Sequence, residues 1–216
     1  MTTLTMPSPT ALPQSTPREQ RPTGYSPEDL LSLPDGEQSE LVNGELQEKA
    51  MSGLSSWVGL EVGRRLGNFV IEHQLGWVFG ADAGYQCFAD APDKVRKPDV
   101  SVVAKDKLPN GPTDGHLRVA PDLAVEVASP NDSLRDTDRK VEDYLAAGVR
   151  SVWLIDPNVR IVQVIRANGT SLRLRDPDEL TEPDILPGFR CYVRDFLPPI
   201  STALALPVAA DEQPRQ

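Results

Sequence analysis

Cysteine and histidine are scarce: Cys87 and Cys191, His73 and His116 are all that 216 residues contain. None stands at the paired spacing a structural zinc site needs, and the cysteines are far apart, so neither zinc nor a disulfide is expected. Apolar stretches are short as well. The start of the chain has no basic segment leading into an apolar stretch of about 7 to 15 residues, and nowhere is there a run of about 18, which argues for a cytoplasmic protein. Positive charge is in deficit. The 22 Lys and Arg against 32 Asp and Glu leave a net charge of −10, which disfavours indiscriminate binding to nucleic acid because phosphate neutralisation requires cations. A local basic groove remains compatible with that balance. There is no internal repeat, no G-x-x-x-x-G-K-[ST] phosphate loop, no G-x-G-x-x-G and no G-x-S-x-G.

With 39% hydrophobic and 25% charged residues, the chain has the composition of one ordinary globular domain. Its ends differ. Residues 1–24 carry Pro7, Pro9, Pro13, Pro17 and Pro22 among Ser and Thr, and 199–216 are Ala-, Pro- and polar-rich. Neither segment buries enough to offset ordering, so a disordered leader and a loose tail are expected around a domain at 25–198. Three basic clusters, Arg64 with Arg65, Lys94 with Arg96 and Lys97, and Arg135 with Arg139 and Lys140, read individually as solvated surface.

Ser26, Pro27 and Asp29 mark a short capped helix that stops by Pro34. "ELVNGELQE" is a hairpin turning at Asn43-Gly44. Between Ser55 and His73, Val58, Val62, Leu66, Phe69 and Val70 recur at spacings of three and four, which predicts an amphipathic helix. Its Gly59, Gly63 and Gly67 are attributed to packing against a sheet. "WVFGAD", "GYQCFA", "PDVSVVA" and "DLAVEVAS" read as strands, 134–147 as a helix ended by Gly148, "SVWLID" as a strand, and "RIVQVIRANGTSLRLR" as a hairpin at Asn168-Gly169.

In "DLAVEVASP", Leu123, Val125 and Val127 share one face and Ala124, Glu126 and Ala128 the other. Both faces are apolar or small, so the strand is expected to be covered on both sides, and Glu126 needs a partner. A salt bridge is the plain explanation. The alternative is a cation shared with Asp99, which begins the preceding strand: like charges resist burial together, and hard oxygen donors without Cys or His suit magnesium or manganese. Asp136 and Lys140, four apart, share a helix face. Ser133 with Asp136 fits a capping box, and Asp136 with Lys140 fits an ordinary surface pair. Asp122 reads as the polar start of its strand.

Taken in order, "ELVNGEL" from Glu40, "KPDV" from Lys97, "PDLAVEVASP" from Pro121, "DTDRKVEDYLAAGV" from Asp136, "VWLIDP" from Val152 and "LPGF" from Leu186 resemble the Uma-type restriction endonuclease family of the PD-(D/E)XK superfamily. The likeness covers roughly residues 25–197; each motif is weak alone and specific in sequence with the others. It implies an α/β fold, a restriction-endonuclease-like mixed β-sheet flanked by helices with added β-hairpins. It also implies Mg²⁺-dependent (or Mn²⁺-dependent) hydrolysis of phosphodiester bonds in DNA. Asp99 and Glu126 would then be metal ligands, Lys140 would orient water or stabilise developing charge, and Asp136 would give support. The superfamily's lysine two residues after the second acid is replaced by Ala128, and "SSWVG" stands where many relatives carry a histidine. A nuclease-fold binding or regulatory protein without turnover is the alternative, with hydrolysis of another phosphoester a third. A homodimer is the default assembly.

Overall fold

The computed structural model describes residues 24–49, 52–130 and 132–199. Apart from Gly24 and Pro199, the leader and tail expected from composition lie outside the described residues. Helix α1 (Pro27–Ser32) is closed by a reciprocal cap: the Asp29 N–H donates to Ser26 Oγ at 3.1 Å and the Ser26 N–H to Asp29 Oδ2 at 2.8 Å. Strands β1 (Ser39–Val42) and β2 (Glu45–Glu48) form the expected hairpin. Asn43 and Gly44 both take positive φ, 53° and 75°, the two-residue turn whose twist matches its strands.

Helix α2 (Gly53–Glu72) buries Val58, Val62, Leu66 and Val70. It begins two residues earlier than the apolar period predicts because Ser52 caps it, accepting the Ser55 N–H at 3.0 Å. Six strands form one sheet in chain order: β3 (Gly76–Gly80), β4 (Val100–Ala104), β5 (Leu123–Val127), β6 (Ser151–Asp156), β7 (Ile161–Arg166) and β8 (Ser171–Arg175). Only β5 and β6 run parallel, joined by the crossover helix α3 (Leu134–Ala146), so the sheet is mixed. Among the described residues no helix is long and apolar enough to cross a membrane.

The alternation along β5 sets the layers. Leu123, Val125 and Val127 join α2 in the larger core, while Ala124 packs with Val141 and Tyr144 of α3. All five β5 residues are buried, as expected of a central strand.

Two expectations are revised and one element is added. "GYQCFA" is not a strand: Tyr85 alone bridges to Arg96 and Leu117, anchored by its buried hydroxyl against Ser101 Oγ at 2.6 Å. A ribbon of β9 (Glu179–Thr181) and β10 (Arg190–Tyr192) gathers the late "LPGF" segment, pairing that the intervening loop conceals from sequence. The α2 glycines are not required by packing within the chain. A methyl group at Gly59 or Gly63 would make ordinary contacts at 3.9 and 3.7 Å, and at Gly67 would meet nothing within 4 Å.

Candidate active site

The register of β4 and β5 pairs Val100 with Val125 and Ser101 with Ala124; one residue further sets Asp99 across from Glu126. The two acids are bound to neighbouring points of one strand end: Asp99 Oδ2 accepts the Val127 N–H at 2.8 Å, one residue beyond Glu126. Asp99 Oδ1 accepts from Lys49 Nζ at 2.9 Å, and the same ammonium donates to Lys97 C=O at 2.7 Å.

Glu126 points toward α3. Its Oε2 accepts from Lys140 Nζ at 3.1 Å and its Oε1 from the Tyr144 hydroxyl at 2.6 Å. Lys140 and Tyr144 are four residues apart and therefore share one helix face. Burial raises the Glu126 carboxyl above its ordinary range; Lys140 pulls it down, and Asp99 and Glu40 push it up again. Burial alone would lower Lys140, but Glu126 and Glu40 outweigh it and hold the ammonium charged. Burial, then Glu126, raise the Tyr144 phenol well above its usual value, so it donates rather than ionises.

Glu40 completes the cluster from β1. It is 2% exposed and takes Arg96 Nη1 at 2.9 Å and the Lys97 N–H at 2.8 Å, with Lys140 Nζ at 3.5 Å. Burial by itself would raise its carboxyl, but Lys140 and Arg96 together hold it below the ordinary range. Arg96 also binds Asp143 Oδ2 at 2.6 Å through Nη2.

Asp99, Glu126 and Lys140 therefore converge, and the plain reading of Glu126 holds too, since its salt bridge is Lys140. Asp136 does not join them. It accepts from Ser133 Oγ at 2.6 Å and faces Arg139 at 3.6 Å, so the expected Asp136–Lys140 pair is absent: Lys140 turns inward to two buried carboxylates. Asp136 lies instead on the rim of a cavity of about 390 Å³ that Glu126 and Lys140 border. The cluster around Arg96 is not solvated either. Arg96 and Lys97 are 3% and 4% exposed, and Lys97 Nζ donates to the Gly36 carbonyl at 2.6 Å. Asp122 does more than open its strand, accepting the Ala104 N–H at 2.9 Å and pairing with Lys107 at 3.1 Å.

Lys49, Glu40 and Tyr144 escaped the sequence reading. Glu40 had the same signal as Glu126, an acid inside a short strand next to apolar neighbours. At the start of α2, in the "SSWVG" segment, Ser55 Oγ lies 2.9 Å from Ser129 Oγ, two residues past the end of β5.

Among the described residues no group of three or more His, Cys, Asp and Glu is arranged to hold a metal. The protein donors available are the two carboxylates. That set fits a magnesium-type ion, which takes about one or two carboxylates and keeps several waters, and does not fit a caged zinc.

Comparison with known proteins agrees with this architecture. No curated protein matches the chain. Among solved structures, the chain is similar to a "putative nuclease belonging to DUF820" from Anabaena variabilis ATCC 29413, with a TM-score of 0.69 and 24% identity over 80% of this chain and 97% of that one. That likeness shows the fold. The profile of a family described as "Putative restriction endonuclease" matches residues 27–194, most of the chain and the whole of the region that builds the sheet and the acid cluster, so the protein belongs to the Uma2 family.

Proposed function

We propose that the protein is a metal-dependent endonuclease that hydrolyses phosphodiester bonds in DNA, as a cytoplasmic protein whose catalytic domain spans residues 25–198. The convergence of Asp99, Glu126 and Lys140 at one end of β4 and β5 carries the reading, on a chain whose family is of the nuclease kind. Restriction-endonuclease-like families generally use a divalent cation, and here Asp99 and Glu126 would hold Mg²⁺ or Mn²⁺. Such an ion, when bound, lowers the pKa of water and neutralises phosphate charge.

The chain's own groups have separate tasks. Tyr144 fixes one oxygen of Glu126 and so leaves the other to face Lys140. Lys140, kept charged by two carboxylates, supplies an ammonium to orient the attacking water or to stabilise charge developing on the phosphate. Lys49 balances Asp99 from the opposite side. Asp136, at the cavity rim, supports through the cap of α3.

The test is cleavage of plasmid and oligonucleotide DNA with Mg²⁺ or Mn²⁺, comparing the native chain with Glu126→Ala and Asp99→Ala. Metal-dependent nicking that both substitutions abolish is expected. Cleavage that survives Glu126→Ala, or none by the native chain on any DNA form, overturns the proposal. One observation favours a second reading, a nuclease-fold binding protein: each carboxylate already has an internal ammonium partner. Calorimetry separates the two, since that reading requires no Mn²⁺ uptake dependent on Asp99.

A further inference from the structure

Strand β3 ends the six-stranded sheet on one side and β8 on the other. The two edges are built differently. On β8, Arg173 and Arg175 are exposed and charged, the ordinary guard against pairing with another chain. On β3 the sequence is Gly-Trp-Val-Phe-Gly, with no charge at all.

The main chain of β3 is oriented for a partner. Gly76 to Gly80 pair with Ala104 to Val100, and just before them the Lys105 N–H donates to the Leu75 carbonyl at 2.9 Å. Bonded and non-bonded pairs alternate along an antiparallel ladder. The pairs at 75, 77 and 79 are therefore the bonded ones, and the N–H and C=O of Val78 point away from β4. By that alternation neither group of Val78 is used in the β3–β4 ladder, and no turn, loop or side-chain partner takes them up among the described residues.

We infer that the β3 edge is the interface through which two copies of this chain associate, their β3 strands pairing antiparallel about a two-fold axis at Val78. The strand is self-complementary in that arrangement. Val78 exchanges both outward bonds with the second copy's Val78, and the outward groups of Gly76 meet those of Gly80. Trp77 falls directly opposite Phe79, a non-bonded pair in which side chains approach most closely. Phe79 packs with Tyr85 and Val103 on the face away from α2, so the aromatic pair forms there. Val78 faces α2.

On that second face a groove of about 680 Å³ runs between β3 and α2; Gly67, Ile71 and Val78 line it together with Asp99 and Lys49 of the candidate active site, so the second copy would share the groove with that site. Leu60 and Ile71 are 70% and 75% exposed. The second copy's Val78 enters this groove, and the helix glycines that packing within one chain does not need leave it room.

Analytical ultracentrifugation of the full chain, with hydrogen exchange read at the Val78 amide, tests this. A dimer at micromolar concentration is expected, with the Val78 amide protected although its N–H turns away from β4. Val78→Pro removes a donor that the chain's own ladder does not use, and Val78→Lys adds an edge charge. Each should raise the dimer dissociation constant at least tenfold while circular dichroism stays native; if the proline variant does not fold, the lysine variant decides. A native chain that is monomeric at 100 micromolar, an unprotected Val78 amide, or a dimer that Val78→Lys leaves intact overturns the inference.

Discussion

Two buried carboxylates, Glu40 and Glu126, and the half-buried Asp99 share the end of β4 and β5 with three cations, and their balance sets what each side chain contributes. Glu40 stabilises the fold: Glu40→Gln leaves Arg96 and Lys140 short of a charge, and breaking such a buried pair costs about 3–5 kcal/mol. Arg96 retains Asp143, so a loss of about 3 kcal/mol, at the lower end, is expected in urea denaturation. Because the folded carboxyl of Glu40 lies below its ordinary 4.5, its contribution is present above that value and is lost as pH falls through the folded one. Glu40→Gln should flatten this acid limb of the stability profile. Lys49 would work against a cation bound at Asp99, since its ammonium already holds that carboxylate at 2.9 Å. Lys49→Met is expected to tighten Mn²⁺ binding about tenfold in calorimetry, equivalent to ~1.4 kcal/mol.

Helix α3 delivers two of the site's groups, Lys140 and Tyr144, and its start is held by Ser133, which accepts the Asp136 N–H at 3.1 Å. Losing an N-cap of this kind costs about 1 kcal/mol. Ser133→Ala should lower stability by that amount and reduce cleavage several-fold through looser placement of Lys140, whereas Ser26→Ala, which removes the cap of the remote α1, should cost similar stability and leave cleavage unchanged. Melting curves beside nicking rates separate the two. The hairpin β1–β2 is equally a positioning element: its tight turn places Glu40 on Arg96 from more than fifty residues away in sequence.

For the molecule as a whole, alkaline pH is a liability. Burial pushes the thiol of Cys87 up from 9.0 to about 11 and that of Cys191 up to about 12. A raised folded value means the stabilisation is complete below the unfolded value near 9 and is lost as pH rises through 11 to 12. The denaturation midpoint should therefore fall above pH 9, and Cys87→Ala with Cys191→Ala should remove the part of that slope that begins near 9, the buried and raised Tyr85 and Tyr144 phenols adding their own above 10.0. Much of this architecture was legible in the chain because its signals are local. Apolar alternation marked β5 as covered on both faces, the Asn43-Gly44 pair marked a turn, and the ordered motifs marked Asp99, Glu126 and Lys140. Tyr85 had no such signal, since one buried anchor in a loop carries no period. What only tertiary structure decided was pairing: that Lys140 turns from Asp136 to Glu126 and Glu40, that Lys49 holds Asp99, and that Arg96 is buried. Each is a choice among charges distant in sequence, fixed by which strands lie side by side and by the cost of leaving any buried charge alone.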